Sequence, residues 1–170
     1  MLAALEVEDA VAGLFTVAHA ARAHGLLLPS LTAVLAQRLV RRICEACAEA
    51  ELPPAATLRR IGCTPVDVAG GAFRRGQGCG HCKDLGAAGR IGVFELHVLD
   101  EEGRDHVLAG SDAAAIRRGA AQLGPATILE DGLLKAARGL VALQELVRGV
   151  PRSAKPRSLA ELARAEGEER

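Results

Sequence analysis

Cys44-Glu-Ala-Cys47 and Cys79-Gly-His-Cys82 are two CxxC pairs with 31 residues between them. No other feature of the chain narrows its fold as much. A tight turn can point both sulfurs of a CxxC pair inward onto one ion, and two such knuckles complete a tetrahedral four-thiolate site of the structural zinc type. The ligands span 39 positions of the chain, so the ion would tie distant segments together and stabilise the fold directly. Four protein ligands leave no open coordination position, which predicts a structural rather than a catalytic site. Gly78 and Gly80 suit knuckle turns, where positive φ or close backbone approach is needed. The loop between the pairs is longer than in the usual zinc ribbon. The competing reading, a thioredoxin-like redox pair, explains one CxxC, leaves the other idle and lacks a preceding βαβ pattern. His81 lies inside the second pair and reads as a solvated turn residue directed away from the ion. Cys63 is left over and reads as a buried or free thiol filling a small apolar slot.

Composition limits what surrounds these cysteines. Aromatics make up 2% of residues, with no Trp or Tyr, so the core must be built from Leu, Val, Ile and Ala. Stacking platforms for bases are scarce, which argues against single-stranded nucleic-acid binding. Lys plus Arg balances Asp plus Glu, 21 each, and favours no partner by net charge. Residues 38–90 are locally basic, nine against five, or +4; four thiolates and a dication reduce this to +2. That surface reads either as a dock for an acidic protein face or anionic lipid, or as ordinary solvated arginine. Apolar stretches such as Gly25 to Leu28 are too short to cross a bilayer, and the first residues lack the basic start and apolar block of a secretory signal. A cytoplasmic location is the expectation, where cysteines serve as metal ligands or free thiols rather than disulfides. No catalytic residue is expected. Glu130 and Asp131 are adjacent on a helix and point to different faces, unlike an acid–base pair. His19, His24, His97 and His106 share no ligand spacing, and His97 is expected to point outward from its strand.

The fold class predicted is α+β, mainly α: a tetracysteine zinc-knuckle module, a short strand or hairpin, and a small bundle of helices. Residues 1–29 form a helical N-terminal segment. Residues 30–96 hold a helix plus the tetracysteine subdomain, residues 97–150 a helical subdomain, and 151–170 a linker and short helical tail. Pro29 and Ser30 precede a helix whose apolar face is Leu31, Val34, Leu35, Leu39 and Ile43. Arg38, Arg41 and Arg42 lie on its other side and suit its C-terminal dipole, and it leads into Cys44. Residues 54–61 form a helical turn within an irregular, Pro- and Gly-rich stretch. "RIGVFELHVL" (90–99) reads as a strand. Helices open at Asp100 and Ser111, and Gly124-Pro125 stops the second. Thr127 with Glu130, and Ser158 with Glu161, are capping-box patterns. Gly139 ends the helix that follows Thr127, and 142–149 forms one more short turn.

Three segments, "AVLAQRLVRRICEAC" (33–47), "GQGCGHCKDLGAAGRIGVFEL" (76–96) and "ILEDGLLKAARGL" (128–140), resemble consecutive blocks of the type II secretion and type IV pilus assembly ATPases. The resemblance covers about residues 30 to 150 in the family's order. It departs at Leu85, Gly86 and Ala87, where the family has Thr-Gly-Tyr, and before residue 30, where "ALEVED" (4–9) is only a faint echo. No GxxxxGK[ST] phosphate loop occurs in the sequence, nor a Walker-B strand. The resemblance therefore implies the C-terminal third of such an ATPase, with Cys44, Cys47, Cys79 and Cys82 as its Zn2+ ligands and Arg90 anchoring the zinc lobe to a neighbouring helix. It implies subunit packing, within a hexameric ring of ATPase subunits, and docking to inner-membrane platform proteins, in the cytoplasm or peripherally at the inner membrane. ATP is not expected to bind this chain alone. The alternatives are a zinc-ribbon nucleic-acid-binding module and a part that completes an ATPase in trans.

Overall fold

A computed structural model of the chain describes residues 2–24, 31–99, 126–152 and 154–168. In chain order the elements are α1 (Ala10–His24), β1 (Ala33–Ile43), β2 (Ala48–Ala50), α2 (Ala55–Ile61), β3 (Arg74–Gly76), β4 (Ala87–Val98), α3 (Ile128–Ala137), α4 (Leu143–Gly149) and α5 (Leu159–Glu168). β1 pairs with β4, and β2 pairs antiparallel with β3. The class is α+β around a clustered set of four cysteines, as the sequence implied. Residues 1–37 with 95–127 form one compact unit, and 38–94 with 128–170 a second. The helices expected at Asp100 and Ser111, the stop at Gly124-Pro125 and the cap at Ser30 lie outside the described residues.

The first unit is organised by α1. The Asp9 carboxylate accepts the Ala12 N–H at 2.7 Å and caps the helix. Leu14 and Ala18 lie one above the other on its buried face and pack with Leu99, flanked by Leu31 and Val34. Leu99 N–H donates to Thr32 O at 2.9 Å just beyond the strand ends. On β4, Glu95 is buried, and His97 approaches it with Nε2 3.0 Å from Oε1. This corrects the outward placement expected for His97. Glu95, His97 and Leu99 turn to the covered side while Phe94, Leu96 and Val98 face outward, so the strand buries the opposite alternation from the one its apolar residues suggest.

The second unit holds the cysteines and the remaining helices. α3 packs against α4 and α5, and α2 against α4. Leu58, Ile61, Leu129, Leu133, Ala136, Leu143 and Leu146 are buried there. Gly132 leaves room at the α3–α4 crossing, where a Cβ would stand 2.8 Å from Leu146 Cδ2. Gly139 ends the run after α3 with φ +73°, as expected of a helix C-terminus. Ser158 and Glu161 form the expected box: the Ser158 hydroxyl and N–H donate to Glu161, and the Glu161 N–H returns to the Ser158 oxygen. No helix among the described residues is long and apolar enough to cross a membrane.

The largest correction concerns residues 33–43, expected as a helix and found as an 11-residue strand. The four-residue spacing of Leu35, Leu39 and Ile43 is also even and so does not exclude a strand's period of two, and the strand formed leaves Leu35 and Leu39 exposed while burying Val40 and Ile43. β4, 12 residues long, satisfies its backbone groups on this strand, and the pairing overrides local helix propensity. The arginines consequently do not serve a helix dipole. Arg41 instead makes a bidentate pair with Glu145 of α4, at 2.8 and 2.6 Å, and Arg42 pairs with Glu45. The Arg41 guanidinium holds the Glu145 carboxyl below the usual carboxylate range.

Candidate metal centre

Each knuckle grows out of the strand next to it. β1 ends at Ile43, whose N–H donates to Leu140 O at 2.9 Å, and this delivers Cys44 to the lobe. A 3-10 turn, Glu45–Cys47, reverses the chain into β2. The second knuckle follows β3: Cys79 is extended, Gly80–Cys82 forms another 3-10 turn, and the chain then passes through left-handed Lys83, Asp84 and Gly86 before β4. The knuckles are stitched to each other through the backbone, with Cys44 N–H to Gly86 O and Gln77 N–H to Cys47 O, both at 3.0 Å.

The glycines divide by role. Gly78 has φ +98°, as knuckle geometry predicted, and a Cβ there would stand 3.0 Å from Asp84 O. Gly80 has no such requirement: nothing lies within 4 Å of a Cβ at that position. Gly76 and Gly86, not singled out from sequence, are the critical pair. Their backbones cross so closely that a Cβ on Gly76 would sit 1.9 Å from Gly86 O, and one on Gly86 2.5 Å from Gly76 O. A glycine on each side of a CxxC was the legible signal; their mutual contact was not.

This framework brings all four sulfurs within 4.8 Å of one another. The Sγ–Sγ separations are 4.0 Å for Cys44–Cys79, 3.9 Å for Cys47–Cys82 and 3.7 Å for Cys79–Cys82. Metal–sulfur bonds of about 2.3 Å at tetrahedral angles require edges of roughly 3.8 Å, so the residues fit one four-coordinate ion. Cys44 and Cys82 are buried while Cys47 and Cys79 are half-buried. Burial opposes charge on Cys82, but N–H groups of Cys79 and Gly86, 3.3 and 3.2 Å from its sulfur, more than offset this and bring the thiol down to about 7. Burial dominates at Cys47 and pushes that thiol up to about 11, against a hydrogen bond from the Gly78 N–H. A cation among the sulfurs favours the thiolate at every member of such a set.

The other candidates fall elsewhere. His81 is exposed and takes no part in the cluster, as expected. Cys63 is buried apart from it, and burial, reinforced by Asp67, pushes its thiol up to about 11. Glu130 and Asp131 do diverge. Glu130 receives Arg157 of the C-terminal segment, whereas Asp131 accepts the Phe94 N–H at 2.8 Å and pairs with Lys135. Arg90 does not anchor the lobe: its side chain is exposed on β4 and forms no ion pair among the described residues. His19 is exposed, and His106 and the side chain of His24 lie outside the described residues. A cleft of about 180 Å³ beside the second knuckle is lined by Arg41, Glu51, Arg75, Leu85, Gln144 and Glu145. Its arginines face carboxylates, Arg41 on Glu145 and Arg75 4.0 Å from Glu51.

A model of the type II/IV secretion system protein family matches residues 1–148. The chain is similar to the type IV pilus assembly ATPase PilB of Thermus thermophilus, 41% identical over 118 residues, which are 69% of this chain and 13% of that protein. It is also similar to two Pseudomonas aeruginosa proteins. Type II secretion system protein E is 37% identical over 123 residues, 72% of this chain and 24% of the relative. Type II secretion system protein HxcR is 34% identical over 148 residues, 87% of this chain and 28% of the relative. The chain thus spans between 13% and 28% of the length of these relatives. With 148 of its residues matched by the family's model, the chain belongs to the type II/IV secretion system protein family, and its own paired CxxC turns fold into one cluster.

Proposed function

We propose that this chain is a zinc-stabilised C-terminal interaction domain of a type II secretion or type IV pilus assembly ATPase. In this reading it contributes to subunit packing and docks on inner-membrane platform proteins, in the cytoplasm or peripherally at the inner membrane, and does not hydrolyse ATP by itself. The observation that carries it is the convergence of four cysteine sulfurs within 4.8 Å in a chain of this family. An all-thiolate donor set suits zinc. Bound there, zinc supplies a crosslink between the knuckles, because four thiolates leave no position for substrate. The chain's own residues do the rest: N–H groups of Cys79 and Gly86 support the Cys82 sulfur, and the crossing of Gly76 and Gly86 holds the turns together. The relatives named as ATPases are much longer, and this sequence carries no GxxxxGK[ST] loop to hold a nucleotide's phosphates.

The test pairs elemental analysis with capture on purified platform proteins of secretion and pilus systems. One zinc per chain and retention on a platform protein, lost when the four cysteines are replaced by serine, are the expected results. Zinc without capture overturns the docking, absence of zinc overturns the whole reading, and steady phosphate release from ATP by the chain alone overturns the claim about hydrolysis.

A further inference from the structure

The residues after the family-matched segment are not a loose spacer. Arg157 grips Glu130 three times: its backbone N–H and its Nε reach Oε1 at 2.7 and 3.1 Å, and Nη2 reaches Oε2 at 3.0 Å. Glu130 is only 3% exposed. Upstream, Arg152 donates to Arg60 O at the end of α2, and its Nε and the Pro156 Cδ stand 3.4 and 3.5 Å from where a Cβ on Gly62 would be. Downstream, Leu159 N–H donates to Asp67 O at 2.8 Å, and Leu159 and Leu162 are buried. Cys63 sits within this frame, 3% exposed, with Arg152, Lys155, Asp67 and Glu130 near enough to act on its thiol.

We infer that residues 151–152 and 154–162 belong to a detachable clasp laid over α2 and the 62–71 loop, locked by Arg157 on Glu130 and closing Cys63 off from solvent. The lock is steep. Removing one partner of a buried ion pair is strongly destabilising, so loss of the three Arg157 contacts to Glu130 disfavours the closed segment. The apolar hold is small, resting mainly on Pro156, Leu159 and Leu162, whereas α3 and α4 share a deeper core. A segment fastened by the Arg157–Glu130 pair, by the hydrogen bonds to Arg60 O and Asp67 O and by three buried apolar side chains opens below the global unfolding free energy. The clasp needs nothing from the metal centre, and it stands whether or not the proposed docking does.

The experiment uses the full zinc-loaded chain. Alkylation of Cys63 by iodoacetamide, followed by peptide mapping, should be at least tenfold faster in Arg157→Ala than in the unchanged protein, at equal zinc content. An unchanged rate overturns the lock. Because Arg157→Ala could lose its fold, native-state hydrogen exchange on the unchanged protein provides the second reading. Amides of α5 should exchange through an opening of lower free energy than those of α3. If both helices exchange through one common opening at every denaturant concentration, the clasp is not detachable and the inference is overturned.

Discussion

The two knuckles share a CxxC spacing and almost nothing else. The first is flanked by extended residues, Cys44 at φ −71° and Ala48 at φ −75°, and simply joins β1 to β2. The second is built from left-handed positions, Gly78 at φ +98°, Lys83 at +52°, Asp84 at +60° and Gly86 at +66°. The first is positioned by the strands that enter and leave it. The second is shaped by its own residues and then clamped where Gly86 meets Gly76. Equal ligand spacing therefore says nothing about where a metal site is fragile: the two knuckles share their spacing and not their backbones.

Breaking the sulfurs should have the largest effect and should not distinguish the knuckles. Structural zinc contributes on the order of 10–16 kcal/mol of apparent binding free energy, which is also folding free energy. Cys44→Ser and Cys82→Ser should each release zinc to a chromogenic chelator and abolish the cooperative thermal transition of the second unit. A variant of either knuckle that keeps one zinc and melts normally would show that its sulfur is dispensable.

Glycine substitutions should separate what the sulfurs cannot. Gly86→Ala and Gly76→Ala each drive a methyl into backbone, at 2.5 and 1.9 Å from a carbonyl oxygen. Neither backbone can yield without moving a knuckle, so a loss of about 3 kcal/mol or more is expected for each. Gly78→Ala keeps a left-handed φ with milder crowding and should cost about 1–2 kcal/mol. Gly80→Ala meets nothing within 4 Å and should stay within about 0.5 kcal/mol. Urea midpoints of the zinc-loaded proteins give this order. If Gly80→Ala and Gly86→Ala lose equal stability, the account of the second knuckle as a clamped loop fails.

The legibility of these features from sequence followed the same division. The clustering of Cys44, Cys47, Cys79 and Cys82 was readable because paired CxxC turns restrict residue type and spacing. The capping box at Ser158 and the strand over 90–99 were readable because both are local patterns. The β1 strand was not, since Leu35, Leu39 and Ile43 satisfy helical and extended periods alike and only the partner strand decides. His97 was misplaced for a related reason: apolar residues on the other face of β4 outvoted it, although Phe94, Leu96 and Val98 are the exposed ones. The contacts of Gly76 with Gly86 and of Arg157 with Glu130 join residues 10 and 27 positions apart, and no periodicity announces such pairs.

A smaller effect than that of the clamped glycines comes from the fifth cysteine, which lies outside the four-sulfur cluster and is held neutral by burial. In the folded chain burial raises Cys63 to about 11. An unfolded cysteine ionises near 8.5. Below that value both states keep the proton and the thiol costs nothing. Between about 8.5 and 11 the unfolded chain gives up its proton while the folded chain retains it, so stability falls as pH rises through this window and levels off above it. The chain has no tyrosine to titrate in the same range, and lysine changes are common to both proteins in a comparison of the unchanged chain with Cys63→Ala. Urea midpoints of the zinc-loaded pair should show Cys63→Ala about 1 kcal/mol less stable at pH 7.5; a rise from near 8.5 to about 11 is worth about 3 kcal/mol, so the difference should shrink and then reverse in sign before pH 11. A difference that stays constant across the window would place the alkaline loss elsewhere, with the knuckle cysteines the first alternative.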